Sequence, residues 1–365
     1  MSSLYNIFLL SSGANGRLDP VPISQFNFIS NSSGSVIFGN STNKICGDNS
    51  SILAGKNNLI TGITTPGGTI LGSNLIGGGD ENCISLNSST ILAGSQNKLS
   101  GINSSILAGR LNCLVGNYSL VVGDGQVSCG LSNSILGGAN NCINSRGSSI
   151  MGGFSSCIFS TCYSIIGGGF SNRVVSACFG YLGGGGGNYV GGIGGIVVGG
   201  NTNCSTCTLS FIGGGQFNND TACLSVIGGG GYNQTGPGAG SSTFDCYQTV
   251  VGGSSNRAVC GHSFVGGGFA NHASGCYSSV LGGRSNCISV NACDSFIIGK
   301  NGNLTHSGAG LITDGQDRVH NSSGPHTLTL DFASGVYISG GFYLNGRQLL
   351  ISALGTVYSP TVTAG

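Results

Sequence analysis

The chain has 365 residues, of which 71 are glycine, 16 cysteine and 6 proline; 6% are charged, the net charge is +1 and tryptophan is absent. Average glycine usage is nearer ~7%, and a hydrophobic share of 39% excludes the polar, charged composition of a disordered chain, while glycine does not recur at every third position as collagen demands. The near-neutral balance excludes the basic patch that nucleic acid requires, and no apolar run approaches the ~20 residues of a membrane-spanning helix.

Residues 1–34 lack any repeat. The opening "MSSLYNIFLLSSGANGR" has no basic start and its apolar run is interrupted by Asn6, so no secretory signal is recognised. A chain made this way reaches the outside of a cell by another exit, such as release within a virus particle. "RLDPVPISQFNFIS" reads as an attachment arm or first cap, because a solenoid needs ends that stop further stacking.

Residues 35–310 repeat. "SNSILGGANNCINSRGSSIMGGFSSCIFS" (132–160) says nearly the same phrase twice, and two apolar residues followed by Gly or Ala recur along the chain with most steps at 14 to 16 residues. Insertions such as "YNQTGPGAGSSTFDC" interrupt the period as loops do. A fixed short period is a solenoid signature. About 15 residues are too few for a helical hairpin and suit two short strands with two turns, one coil of a parallel β-roll or β-helix; Ile, Val, Thr and aromatics flanking glycine agree. Coils stacked ~4.8 Å apart predict a rod of roughly 80 Å.

Asparagine follows the small-residue slot at Asn58, Asn97, Asn112, Asn141, Asn172, Asn256 and Asn286. These are the candidate turn residues, because asparagine tolerates left-handed backbone and its amide can bond the turn or the equivalent Asn one coil away.

Both members of the apolar pair are hydrophobic, as in Ile135–Leu136, Ile165–Ile166 and Val280–Leu281. Successive strand residues face opposite ways, so one would fill the chain's own interior and the other an oligomer core covered by another subunit. The expectation is a homotrimer with chains intertwined or side by side; the alternative is a fatter solenoid that covers both stripes itself.

The cysteines are ordered. Cys113, Cys142, Cys157 and Cys287 follow the turn Asn or its equivalent, at a position that elsewhere holds Lys98, Arg173 or Arg257 and is therefore peripheral. A second column, including Cys260 and Cys276, precedes the apolar pair. Stacked positions ~4.8 Å apart fall within the Cα window of a disulfide, so Cys142 with Cys157 and Cys260 with Cys276 are candidate bridges, Cys157 with Cys162 is a local one, and a ladder of free thiols is the alternative. "CSTC" (204–207) has redox or zinc spacing without the context of either.

Residues 311–365 are poorer in glycine, and "TLTLDFASGVYISGGFYLNGRQLLIS" (327–352) shows alternating patterning with Gly-Gly and Asn-Gly turns, a small β tip or collar. The eleven acidic residues are scattered. Asp314, Asp317 and Asp331 form the best group for the paired carboxylates of glycan cleavage, with turn chemistry as the plainer reading. His306, His320 and His326 read as exposed loop histidines without metal-ligand spacing. The residues thus point to no enzyme, no catalytic or metal site and no cofactor.

Repeats such as "NSSILAGRLNCLVG" (103–116) and "HSFVGGGFANHASG" (262–275) resemble two families across roughly residues 35–310. One is the YadA-type head of trimeric autotransporter adhesins, a left-handed parallel β-roll. The other is the Gly-Gly-x-x-Asn region of viral tail-fibre and tail-spike-like proteins, often placed before an endosialidase-type chaperone domain. The chain departs from the first in lacking a signal, a coiled-coil stalk and an anchor, and from the second in showing no chaperone after Gly365. The resemblance implies a homotrimeric structural fibre on a virion surface or otherwise extracellular. It would join other virion or fibre components through its N-terminus and bind a host surface glycan or protein, without membrane insertion. A microbial surface adhesin or extracellular filament is the alternative, and a fibre-borne glycan depolymerase or an ice-binding surface a weaker one.

Overall fold

The computed structural model describes residues 27–29, 34–39, 42–64, 70–236 and 246–337, together with the backbone of short strands at 11–12, 18–19, 342–344 and 347–349. The chain is an all-β parallel solenoid of about 18 turns, spaced roughly 15 residues apart. Two parallel sheets face each other, each with 19 strands. The first sheet runs from Val36–Ile37 through Ser51–Ile52 and Leu75–Ile76 to Leu328–Asp331. The second runs from Phe28–Ile29 and Lys44–Cys46 to His320–Asn321. Each strand pairs with its equivalents one coil before and after, as Ile76 does with Ile52 and Ile91. At one strand spacing per coil the rod is roughly 90 Å long.

Most strands are two residues long, and every coil contributes one interior residue per sheet. The first sheet supplies the column Ile52, Ile76, Ile91, Ile106, Val121, Ile135 and onward. The second supplies Ile45, Ile60, Ile84, Leu99 and Leu114, all fully buried. Fully burying such a side chain is worth ~1.5–3 kcal/mol, and most coils supply two; Ser128, Ser205, Asp220 and Thr235 take the second sheet's interior place in others.

Corners are closed by buried polar ladders. Asn97 N–H and Nδ2 donate to Asn82 Oδ1 at 3.2 and 2.9 Å, and Nδ2 also donates to the Gly109 carbonyl at 2.9 Å. Asn58, Asn112, Asn141, Asn172, Asn256 and Asn286 occupy the same buried column. These asparagines are not themselves left-handed. The residue before each one is, at φ 55° for Asn57, 58° for Gln96 and 58° for Leu111; the turn needs its left-handed residue outside, so that the next amide can point inward. The opposite corner uses serine: Ser104 Oγ donates to the Gly116 carbonyl at 2.9 Å and accepts the Ser119 N–H at 3.1 Å.

One glycine per coil is obligatory. Gly94 has φ +122°, and a Cβ there would lie 1.9 Å from the Gly109 carbonyl oxygen of the next coil. Equivalent positions repeat that contact from Gly55 to Gly283. Glycine is required here for both the dihedral and the approach.

The ladders begin and end outside the bounds expected from the repeat. Phe28–Ile29 already pairs with Lys44–Ile45, within the segment read as an arm. Beyond residue 310, Gly310–Thr313 pairs with Leu328–Asp331. The solenoid persists there without Gly-Gly because register and interior residues, not glycine density, define a coil. Ser11–Ser12 pairs antiparallel with Leu18–Asp19, and Phe342–Leu344 with Arg347–Leu349. The remainder of the expected arm and tip lies outside the described residues.

Candidate functional site on the outer faces of the solenoid

The first sheet's outer face is built from the residues that flank each interior one. Leu53, Leu136, Val251 and Leu281 follow interior residues and are 47%, 48%, 51% and 51% exposed. Of the six residues expected at an oligomer core, Ile135, Ile166 and Val280 are fully buried in the chain's own interior, Leu136 and Leu281 are exposed, and Ile165 is half-buried on the outer face. The apolar pairs are therefore not buried on both faces within one chain. Their phase also varies. Ile166 aligns with Ile150 and Ile165 with Ser149, so this pair sits one position earlier than Ile135–Leu136. A one-residue slip exchanges faces, and sequence spacing alone did not reveal it.

That slip follows a rule of size. Where the residue after the interior position is glycine, the residue before it is bulky: Leu75 with Gly77, Ile165 with Gly167, Tyr181 with Gly183, Phe211 with Gly213, Val226 with Gly228, Phe264 with Gly266. Where the residue after is bulky, the one before is Ser or Thr in Ser51/Leu53, Thr90/Leu92, Ser105/Leu107, Ser134/Leu136, Ser149/Met151, Thr249/Val251 and Ser279/Leu281. A few coils, such as Leu120/Val122 and Phe296/Ile298, carry apolar residues at both. Aromatic rings lie over their glycines: a Cβ on Gly183, Gly213 or Gly266 would meet Cε1 of Tyr181, Phe211 or Phe264 at 3.5, 3.4 and 3.3 Å. Neither outer column of the first sheet holds a charge. The result is a continuous, uncharged, nearly level apolar face.

The second sheet's outer face is different. Its column before the interior residue holds Lys44, Lys98, Arg173, Arg257 and His272 among cysteines. Cys113, Cys142, Cys157 and Cys287 all lie there, half-buried, with free thiols. Cys142 and Cys157 are direct neighbours on consecutive strands. The next residue inward is fully buried, as at Ile143, Ile158 and Ile288.

Three disulfides staple consecutive coils at the serine corner: Cys162–Cys178, Cys207–Cys223 and Cys260–Cys276, with Cα separations of 4.6, 4.9 and 4.7 Å. Cys157 does not bond Cys162; a cross-coil partner stands at one strand spacing, whereas the local residue is carried away along its strand. "CSTC" is split the same way, Cys204 on the outer column and Cys207 at the corner. Rings stack along the corners, Tyr163 on Phe179 at 5.8 Å and His262 between Tyr247 and Tyr277 at 4.9 and 4.7 Å. Stacked on one another, they present edges to solvent.

Two polar groups escaped sequence reading. Asp220 is fully buried, at a position that Ile or Leu fills in other coils. Its Oδ1 accepts the hydroxyls of Ser225 and, at 2.5 Å, Thr235, while Oδ2 is buried without a partner. Burial pushes its carboxyl up to about 6 against those two stabilising hydrogen bonds. Counting its place in the coil would have flagged it. His320, expected in an exposed loop, is also fully buried, since it takes the corner column's place at the C-terminal end. Its Nδ1 lies 2.8 Å from Asp331 Oδ2 and its Nε2 3.6 Å from Asp314 Oδ1.

The acidic group near that end is fully engaged. Asp314 is held below the usual carboxylate range by the Ala333 N–H, Asp317 by the Lys300 ammonium and Asp331 by the His320 ring. Glycan cleavage needs one carboxyl that keeps its proton, and each of these favours the ionised form. Among the described residues no group of three His, Cys, Asp or Glu side chains could hold a metal ion. Comparison with protein-family models and with curated proteins returns no match to this chain.

Proposed function

We propose that this chain is the subunit of a homotrimeric structural fibre, most simply a viral fibre or receptor-binding appendage, whose three rods pack through the outer face of the first sheet. The observation that carries this reading is the size rule on that face. Its exposed side chains present on the order of 1,000 Å² of apolar surface, against about 800 Å² per partner in a standard interface and roughly 300–600 Å² for the largest patch of a typical monomer. In most coils one bulky and one small residue flank the interior position. Around a threefold axis, the column before the interior residue in one copy meets the column after it in the next, so at each level a bulky residue meets a small one and in-register packing fills each layer evenly. A partner with another repeat would drift out of step with the ~4.8 Å coils.

The test is sedimentation of the full chain and of Leu136→Asp/Leu281→Asp, which places charges on the apolar face without touching the interior. The reading expects a trimer that the double variant dissociates. A monomeric wild type would overturn the assembly, and a trimer indifferent to the substitutions would overturn the face. Detection in virions supports a viral fibre; detection in cell-envelope fractions would favour a microbial adhesin instead.

A further inference from the structure

Among the described residues, Cys142 and Cys157 are the only cysteines that occupy consecutive rungs of the second sheet's outer column. Parallel register sets neighbouring Cα atoms ~4.8 Å apart, the same separation at which the corner disulfides join 4.6–4.9 Å pairs. The two thiols are nevertheless free and half-buried. The next rung is Arg173, paired with Cys157. The neighbouring Cys142 thiol and the Arg173 guanidinium hold the Cys157 thiol low, while the adjacent Cys157 thiol, burial and Cys129 push Cys142 up. A thiolate-prone sulfur with an arginine on one adjacent rung and a second thiol on the other is the arrangement of an attacking and a resolving cysteine. Cys113 and Cys287 lack it, having Lys98 and Val127, and His272 and Asn303, as column neighbours.

We propose that Cys142 and Cys157 form a thiol–disulfide exchange site, oxidised by a small disulfide such as glutathione disulfide, that places a further staple between adjacent coils. The Cys157 thiolate attacks one sulfur of glutathione disulfide, breaking its S–S bond and releasing one glutathione thiolate. Cys142 gives its proton to solvent and attacks the Cys157 sulfur, releasing the second. Two protein thiols are oxidised, one glutathione disulfide is reduced to two glutathiones, and the protons balance through solvent. The site lies on the face opposite the one assigned to assembly, so the oxidant reaches it in the trimer.

The full chain is equilibrated in glutathione buffers of increasing oxidised fraction, trapped with iodoacetamide and digested with trypsin. Cleavage after Arg146 separates the two cysteines, so the new bond joins peptide 111–146 to 147–173, a linked pair that also carries peptide 174–257 through Cys162–Cys178. The proposal expects that linked pair to accumulate while both residues lose their adducts. It expects Cys142→Ser to stall at a Cys157–glutathione mixed disulfide. It also expects Arg173→Gln to slow Cys157 modification several-fold at neutral pH and to move its pH profile upward. The corner disulfides report that each variant remains folded. Persistent alkylation of both cysteines under oxidising conditions, an unresolved mixed disulfide in the wild type, or an Arg173→Gln profile identical to wild type would overturn it.

Discussion

The ring of Tyr181 lies across Gly183, its Cε1 3.5 Å from where a Cβ would stand, while the Val198 carbonyl oxygen of the next coil approaches that point to 2.2 Å. The coil above requires the glycine, and the ring packs beside it at ordinary contact distance. Gly183→Ala is expected to destabilise the single chain by about 2–3 kcal/mol, the cost of overpacking a closed site. Leu136→Ala, in the same outer column, is expected to change single-chain stability by well under ~1 kcal/mol and to weaken assembly. Denaturant unfolding and sedimentation of both variants separate the effects.

The asparagine ladder couples each coil to its neighbours. Asn97→Ala leaves the Gly109 carbonyl and the Asn112 N–H without their side-chain partners, and an unsatisfied buried group costs ~1–3 kcal/mol. Amide hydrogen exchange is expected to rise in the coils on either side of residue 97 and to stay unchanged far along the rod, because solenoid stability is set by nearest neighbours. Uniform loss of protection would contradict a local role.

Asp220 makes stability fall as pH rises. Its carboxyl is raised in the folded chain to about 6 from 3.8, so between those values the folded state holds a proton that the unfolded state has released. The stabilisation is complete below pH ~4 and is lost as pH climbs through about 6, with a span of about 3 kcal/mol. Asp220→Asn should flatten this dependence and keep the low-pH stability at pH 8. A wild-type profile flat from pH 4 to 7 would contradict the assignment.

At the C-terminal end, His320→Ala would leave Asp331 without the ring that Nδ1 offers at 2.8 Å. Increased proteolysis confined to residues beyond about 300, with the preceding coils intact, is expected. Glycan hydrolysis that disappears in Asp314→Asn would contradict the reading of this cluster as structural.

Much of the fold was legible because each coil repeats a short set of physical demands. The 15-residue step, the interior isoleucines and the corner asparagines all follow from stacking. The phase of the apolar pairs was not legible, since Ile165–Ile166 and Ile135–Leu136 look alike until strand register separates them. The left-handed corner was hidden because Asn57, Gln96 and Leu111 alike adopt it; the buried neighbour, not intrinsic preference, imposes the angle. Asp220 went unremarked among the scattered acidic residues, because only its place in the coil marks it as interior. Cys162–Cys178 and Cys207–Cys223 have the same separation of 16 as Cys260–Cys276, so spacing along the column made all three pairs possible and only the three-dimensional register showed which are bonded.

The most direct test of the assembly is electron cryo-microscopy of the purified full chain. The account predicts a slender rod of roughly 90 Å for the repeat region, with threefold symmetry, the three first sheets turned toward the axis and Leu136 of each chain at the same height. A single unassociated solenoid, or a trimer with the Lys- and Arg-bearing second sheets at its axis, would contradict it.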